Sequence, residues 1–340
     1  MSRSFVVGIR IFLITLLLVT CVYELGDFKL AKNGCDAEQR LKGPFEMDSQ
    51  QVVKTIRLNH LTAPSSLPLN LTRQNDIRYS NNQYEYGWKF FHFYSQQFFS
   101  EHRHGFFIEA GALDGEFLSN TLWLEQHLGW KGLLIEADPI NFKYLVWKRR
   151  KAWLSNTCIS EKEYPKEAVF EMLQERSETF AVPWLYRANS RRTDTFFIKV
   201  EGDFLDFSAV SYSIVQCFPL ASYLLALNVS SVDYLSLDVQ GNEWDIIKNI
   251  PWDRISIRVM AVEHYHHNAK TLREGKGLDE EFVDYMKNIN YTLVDHDDDA
   301  NYIFVLKDDV IATRTITSYK DRNTMVNNSL IEVENYSRKI

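Results

Sequence analysis

The stretch FFIEAGALDGEFLSNT, Phe106 to Thr121, sets an acid, two glycines and a second acid behind a short apolar run. An apolar run that ends in glycine predicts a buried strand over Gly105–Gly111, and the spacing after it predicts a helix over Ser119–Leu128. In an open α/β sheet, ligands bind outside the carboxyl ends of the strands. Glu109, Gly111, Asp114 and Gly115 all fall at that end of this strand. Glycines there let the backbone turn sharply and approach a ligand without a Cβ in the way. The spacing is G-x-x-x-G, so the G-x-G-x-x-G fingerprint of a dinucleotide site is absent. An acid ahead of the loop suits a cationic or zwitterionic ligand better than a pyrophosphate.

Outward from this point strand and helix patterns alternate. GLLIEAD (Gly132–Asp138) predicts a second strand, and Ile140–Arg150 a helix. AWLSNTCIS (Ala152–Ser160) predicts a third strand. Glu161–Ser213 is long, charged and irregular. A helix around Leu220–Leu227 comes next, then a strand in VDYLSLDVQG (Val232–Gly241) and a helix over Glu243–Ile250. ISIRVMAVEH (Ile255–His264) predicts a fifth strand and Glu280–Ile289 a helix. YTLVDHD and NYIFVLKD are too close for a parallel crossover, so they predict an antiparallel hairpin. Alternating strands and helices imply a parallel sheet covered on both faces. The expected fold class is therefore α/β, with a doubly wound, mostly parallel, seven-stranded, Rossmann-like sheet and an antiparallel terminal hairpin. That is the strand inventory of S-adenosylmethionine-dependent methyltransferases.

Glu136 ends the second strand about 20 residues past Gly115, where a carboxylate can bridge two ribose hydroxyls. Asp138 follows, within reach of an adenine edge. Glu109, Glu136, Asp238 and Glu263 end four successive parallel strands. The expected cofactor site is thus Glu109, Gly111, Asp114, Gly115, Glu136 and Asp138. Three other clusters have structural readings. In EHYHHN, adjacent histidines point apart on a strand, so a shared metal ion needs a loop. DHDDD (Asp295–Asp299) lacks calcium-ligand spacing and sits where a hairpin turn belongs. WKRRK (Trp147–Lys151) ends a helix, where cations favour the dipole. No metal site is expected.

FIEAGALDGEFLSNT, GLLIEADPINFKYL, VDYLSLDVQGNEWDIIKNIPW and VMAVEH together resemble the FkbM-type methyltransferase domain, in order from about Gly105 to Lys307. The branch they most resemble is that of the animal Star proteins, type II membrane proteins with a lumenal domain. The resemblance implies S-adenosylmethionine as cofactor. For that branch it also implies a role in moving membrane cargo from endoplasmic reticulum to Golgi and through endosomes. The sequence departs from the pattern after the fourth strand. Enzymatic relatives resemble D-x-E-G-x-E there, whereas this chain has Asp238-Val239-Gln240-Gly241-Asn242-Glu243. Glutamine cannot accept a proton or carry a base's charge.

The 340 residues are 45% apolar and carry a net charge of −7, with no dense Lys/Arg block. Nucleic acid is excluded as an expected partner, because phosphate contacts need a basic face. Ile11–Tyr23 is strongly apolar, with Arg3 and Arg10 before it, so the arginine side stays cytosolic and the rest enters the lumen. A cleaved signal peptide using Ile11–Val19 and a type II anchor over Phe5–Tyr23 both fit; the resemblance favours the anchor. The expected order is a cytosolic tail (1–4), the anchor (5–23), a lumenal stem (24–83), the methyltransferase-like domain (84–309) and a polar tail (310–340). The helical aromatic pattern YEYGWKFFHFYSQQFFSEH opens the domain. The expected location is the endoplasmic reticulum and Golgi membrane, with endosomes and plasma membrane as further stations. Sequons at Asn70, Asn228, Asn290, Asn327 and Asn335 are consistent with a lumenal domain. An oxidising lumen permits one bridge, Cys158–Cys217; two buried free thiols are the alternative.

Two functions follow from these readings. One is a trafficking protein whose fold serves as a surface for membrane-protein cargo. The other is a lumenal O-methyltransferase acting on a glycan or other hydroxyl acceptor, with Asp238 as base and His264 as the other candidate.

Overall fold

The computed structural model describes residues 41, 45–72, 89–173, 187–194, 210–266, 275–313 and 318. The chain divides into two units, 1–40 and 41–340, and every described residue lies in the second. The expected anchor, Asn327 and Asn335 lie outside the described residues. Among those residues no helix is long and apolar enough to cross a membrane.

Seven strands make the main sheet: β1 (Phe106–Ala110), β2 (Lys131–Ile135), β3 (Trp153–Ser155), β8 (Ser231–Leu237), β9 (Ser256–Glu263), β10 (Tyr291–His296) and β11 (Asn301–Leu306). Their spatial order is β10-β11-β9-β8-β1-β2-β3. β3, β2, β1, β8 and β9 run parallel, and β11 is antiparallel to both β9 and β10. The first strand thus lies between the second and the eighth, where the winding direction reverses.

Side chains alternate across a strand, and both faces of this sheet are buried. Ile108, Leu235 and Met260 point to one core, which helices α5 (Leu220–Leu227), α6 (Glu243–Lys248) and α7 (Glu280–Asn288) cover. Their neighbours Phe107, Tyr234 and Val259 point to the other. There α2 (Lys89–Phe99) contributes Phe90, Tyr94 and Phe98, and α4 (Pro139–Lys148) contributes Phe142 and Leu145. The aromatic segment is the lid of a core. α3 (Leu122–Leu128) completes that face and ends on Gly129, whose left-handed φ of 68° closes the helix.

Two expectations change. The third strand is two pieces: β3 stays in the main sheet, while β4 (Cys158–Ile159) joins a second sheet. That sheet is built from the stretch that reads as irregular, with β5 (Lys166–Leu173), β6 (Arg191–Arg192) and β7 (Val210–Phe218) in the order β4-β7-β5-β6. Its own core is small, around Phe170, Met172 and Val215. Cys158 and Cys217 are direct partners across β4 and β7, and a disulfide joins them with Cα atoms 4.3 Å apart. A small core gains most from such a staple.

The expected stem is the second change, because residues 45–72 are part of the body. Helix α1 (Gln50–Thr55) and the π-helical turn after it bury Val52 and Ile56 fully in the main core. Arg57 donates to the carbonyls of Ala226 and Leu225 at the end of α5. Thr62 pairs antiparallel with Leu154, and the Asn70 amide donates to the Lys148 carbonyl. The apolar residues that carry this burial, Met47, Val52 and Ile56, are separated by polar ones and form only a short stripe. Asn70, Asn228 and Asn290 are exposed, although Asn70 Nδ2 donates to the Trp147 carbonyl and Asn290 Nδ2 to Asp308.

Candidate functional site

A cleft of about 270 Å³ opens at the carboxyl ends of β1, β2, β8 and β9. That is near the lower bound of roughly 300 Å³ for small-molecule sites. Its position follows from the topology: the loops after β1 and β8 diverge, and no strand fills the gap.

Glycine 111 makes the floor possible. Its φ is 84°, and a Cβ there would fall 1.9 Å from the Asp238 carbonyl oxygen. The Gly111 and Ala112 amides donate to the Ile135 carbonyl, and the Asp238 amide donates to that of Ala110. The β1 loop therefore lies on backbone from both neighbouring strands. Three non-glycine residues lining the cleft also have left-handed backbones: Leu113 (φ 50°), Leu118 (57°) and Gln240 (60°). Backbone of this kind costs about 1–3 kcal/mol and clusters at functional sites.

Of the expected residues, Glu109, Gly111, Glu136 and Asp238 line the cleft. Glu109 is nearly saturated. It accepts from the Asn120 amide (2.7 Å), Ser119 Oγ (2.9 Å) and Thr121 Oγ1 (2.5 Å). Burial raises its pKa, opposed by the Arg150 charge and those hydrogen bonds. Glu136 accepts from the Leu113 amide on Oε2 (2.7 Å) and the Asp138 amide on Oε1 (2.8 Å). Burial, aided by the Asp138 charge, pushes it up to about 8.

Asp114, Gly115, Asp138 and His264 do not line the cleft. Asp114 is fully buried and accepts from the Glu116 and Phe117 amides, holding the loop's turn. Gly115 packs where a Cβ would strike Leu145. Asp138 caps α4, its Oδ1 accepting from the Ile140 and Asn141 amides, and its side chain also bonds to Ser190 of the cleft wall. His264 follows Glu263 on β9 and so points to the opposite side. It pairs through Nε2 with Asp279 (3.0 Å) and packs on Phe282. Neither Asp138 nor His264 has the placement expected of a ligand or a base.

Three of the four WKRRK cations, Lys148, Arg150 and Lys151, have partners in the same frame. Lys148 meets Asp114 and Glu116. Fully buried Arg150 pairs with Glu125 (2.9 Å) and donates to the Gly115 carbonyl, Ser119 and Thr121 beneath the loop. Lys151 donates to the Ser65 and Leu67 carbonyls.

At the far end of the cleft Asp238 and Glu263 are joined by a hydrogen bond, and burial raises both carboxyls. Gln240 Nε2 donates to both, at 2.7 Å to Asp238 Oδ1 and 2.8 Å to Glu263 Oε2. Glu243 accepts from the Val239 and Gly241 amides and fixes this loop; burial lifts it to about 7. Opposite stands a wall from around the second sheet, including Phe170, Arg187, Ser190 and Arg192. Arg192 is gripped by Glu161 (2.5 Å) and Asp194 (2.6 Å). Those carboxylates fall to about 2, because Arg192 and Lys166 outweigh their burial.

Sequence reasoning missed this wall and Asn141. The wall comes from charged, aperiodic sequence that carries no strand signal. Asn141 carried one faint signal: it lies in the first turn of the helix that follows Glu136.

The residues fit S-adenosylmethionine as a group. Glu136, an acid in the cleft at the end of β2, could hold ribose hydroxyls, Gly111 leaves room for close approach, and the acids at the Asp238 end could face a positive charge. No curated protein matches the chain significantly. Among solved structures, the crystal structure of methyltransferase FkbM from Methylobacillus flagellatus KT aligns with a TM-score of 0.36 and 14% identity. It covers 68% of this chain, which spans 50% of that one. The family model described as "Methyltransferase FkbM domain" matches residues 109–304, from the acid that ends β1 into β11, and the chain belongs to that family.

Proposed function

We propose that this chain is a Star-like type II membrane protein of the secretory pathway, anchored by residues 5–23. Its lumenal FkbM domain would serve vesicle-mediated transport of membrane cargo from endoplasmic reticulum to Golgi and through endosomes. The cleft would keep an S-adenosylmethionine-class ligand. The observation that carries this reading is Gln240, whose amide ties Asp238 to Glu263 where enzymatic relatives resemble an acid. The binding half of the cleft is open while its acids are cross-linked, as expected of a binding fold put to another use. The disulfide within the domain fits an oxidising lumen. Exposed Asn228 and Asn290 are available for glycans.

The experiment has two parts. In cells, Asn228 or Asn290 should carry glycan, and the chain should resist carbonate extraction. Removing the chain should hold membrane cargo in the endoplasmic reticulum, and a Glu136→Ala chain should restore its exit. Release into the soluble fraction, or normal cargo exit without the chain, would overturn the proposal.

A second reading, an O-methyltransferase for a glycan or other hydroxyl acceptor, is favoured by the raised pKa of the Asp238–Glu263 pair, since a base is tuned upward by burial. Glu136 would hold the cofactor, and Asp238 would orient the acceptor hydroxyl and take its proton. Bound S-adenosylmethionine would supply an electrophilic methyl group. Transfer of labelled methyl to a glycan acceptor, abolished by Asp238→Asn, would support it; no transfer to any hydroxyl acceptor would leave transport alone.

A further inference from the structure

The side-chain acceptor best placed to meet a ligand in this cleft is Asn141. The residue is 1% exposed and lines the cleft in the first turn of α4. Its Oδ1 has no hydrogen-bond partner. The other atoms of the group are committed: the side chain bonds to Glu136, and Nδ2 lies 3.5 Å from the Arg187 carbonyl. A buried acceptor without a donor costs about 1–3 kcal/mol, so its retention calls for an explanation. Among the described residues, no other cleft-lining side chain has a buried acceptor without a partner; Asn242 Nδ2, at the acid end, is a donor.

Glu136 supplies the second half of the argument. A free carboxylate can bracket the two hydroxyls of a ribose unaided. Here each oxygen already accepts a backbone amide, and Asn141 adds a third bond. A carboxylate has about four lone-pair sites, so room remains for one further donor. A vicinal diol brings two. The second must find another acceptor within reach of the first, and Asn141 Oδ1, on a side chain bonded to Glu136, is that acceptor.

We propose that the cleft reads the vicinal diol of a nucleoside with two residues, Glu136 accepting from one hydroxyl and Asn141 Oδ1 from its neighbour. This rests on the cleft being a site for an S-adenosylmethionine-class ligand, and it adds the hydroxyl-reading residue. A ligand whose sugar lacks one of the hydroxyls leaves Asn141 unpaired and loses affinity.

The test is calorimetric titration of the full chain with adenosine, 2′-deoxyadenosine and 3′-deoxyadenosine. It uses wild type, Asn141→Ala and Asn141→Asp, with a thermal melt of each to confirm folding. Wild type should prefer adenosine over one of the two deoxynucleosides by roughly tenfold. Asn141→Ala should bind that pair equally. Asn141→Asp keeps an acceptor at the position and should keep the preference. Asn141→Ala retaining the full preference while folded would overturn the inference and leave the cofactor reading intact. If Asn141→Ala fails to fold, loss of the preference in folded Asn141→Asp overturns it, and its retention supports it. A folded wild type that binds none of the three nucleosides would overturn the cofactor reading and the inference with it.

Discussion

Asp238 and Glu263 end neighbouring parallel strands with their carboxyls hydrogen-bonded to each other, and the Gln240 amide clasps both. Burial raises both carboxyls, and the Asp238 charge pushes Glu263 further up. Gln240 is the neutral clamp that makes the arrangement tolerable.

Gln240→Glu replaces that donor with a third acid. It should destabilise the fold by roughly 1–3 kcal/mol, and more at pH 8 than at pH 5. The sign follows from linkage: carboxyls raised in the folded state keep protons that the unfolded chain has released, so their cost grows as pH rises. Urea unfolding at the two pH values measures it; an equal loss at both would contradict the clasp.

Glu136 and Glu243 sit at about 8 and about 7, against 4.5 unfolded. Both are raised, so stability should fall as pH rises from about 4.5 through 8. Glu161 and Asp194 are lowered to about 2, so their contribution is present above the unfolded values and disappears as pH falls toward 2. Melting temperature against pH should therefore decline on both flanks. Glu136→Gln should make the alkaline flank shallower, leaving the part due to Glu243, and leave the acid flank as it was.

Arg150 is wholly buried, and its guanidinium supports the loop that begins the site. Arg150→Ala leaves Glu125 buried without its cation and should cost about 3–5 kcal/mol. Arg149→Ala, on the neighbouring exposed residue, should cost well under half of that. Chemical denaturation of the two variants checks the contrast.

How legible was this molecule in its residues? The strands at the centre were, because a sheet buried on both faces needs unbroken apolar runs such as FFIEA and VMAVE. Glu109, Glu136 and Asp238 could be read as strand-end acids, since topology alone carries them to one edge. Their division of labour could not. Asp138 looks like a ligand in sequence, yet the helix start behind it needs a cap; His264 is next to a cleft residue and therefore faces away from the cleft. The second sheet was hidden because apolar Val169, Tyr212 and Ile214 face outward beside charged residues, so the alternation along its strands does not mark a buried face. The segment at 45–72 is held by a short apolar stripe, Met47, Val52 and Ile56, together with backbone and side-chain hydrogen bonds, so no long apolar run announces it.

Cys158 and Cys217 close a loop of 59 residues in sequence separation. Reducing the bond, or Cys217→Ser, should cost about 4 kcal/mol by loop-closure entropy. A thermal melt with and without reductant reads it. Because Cys158 lines the cleft, ligand affinity should weaken with the same treatment.

The most direct test of the account is calorimetry of the full chain against S-adenosylmethionine, wild type beside Glu136→Ala. Wild type should bind, and Glu136→Ala, still folded, should bind more weakly by roughly 0.5–1.5 kcal/mol, the scale of a net hydrogen bond. A folded wild-type chain that gives no binding, or a Glu136→Ala chain that binds as tightly as wild type, would contradict the claim that this cleft is a cofactor site.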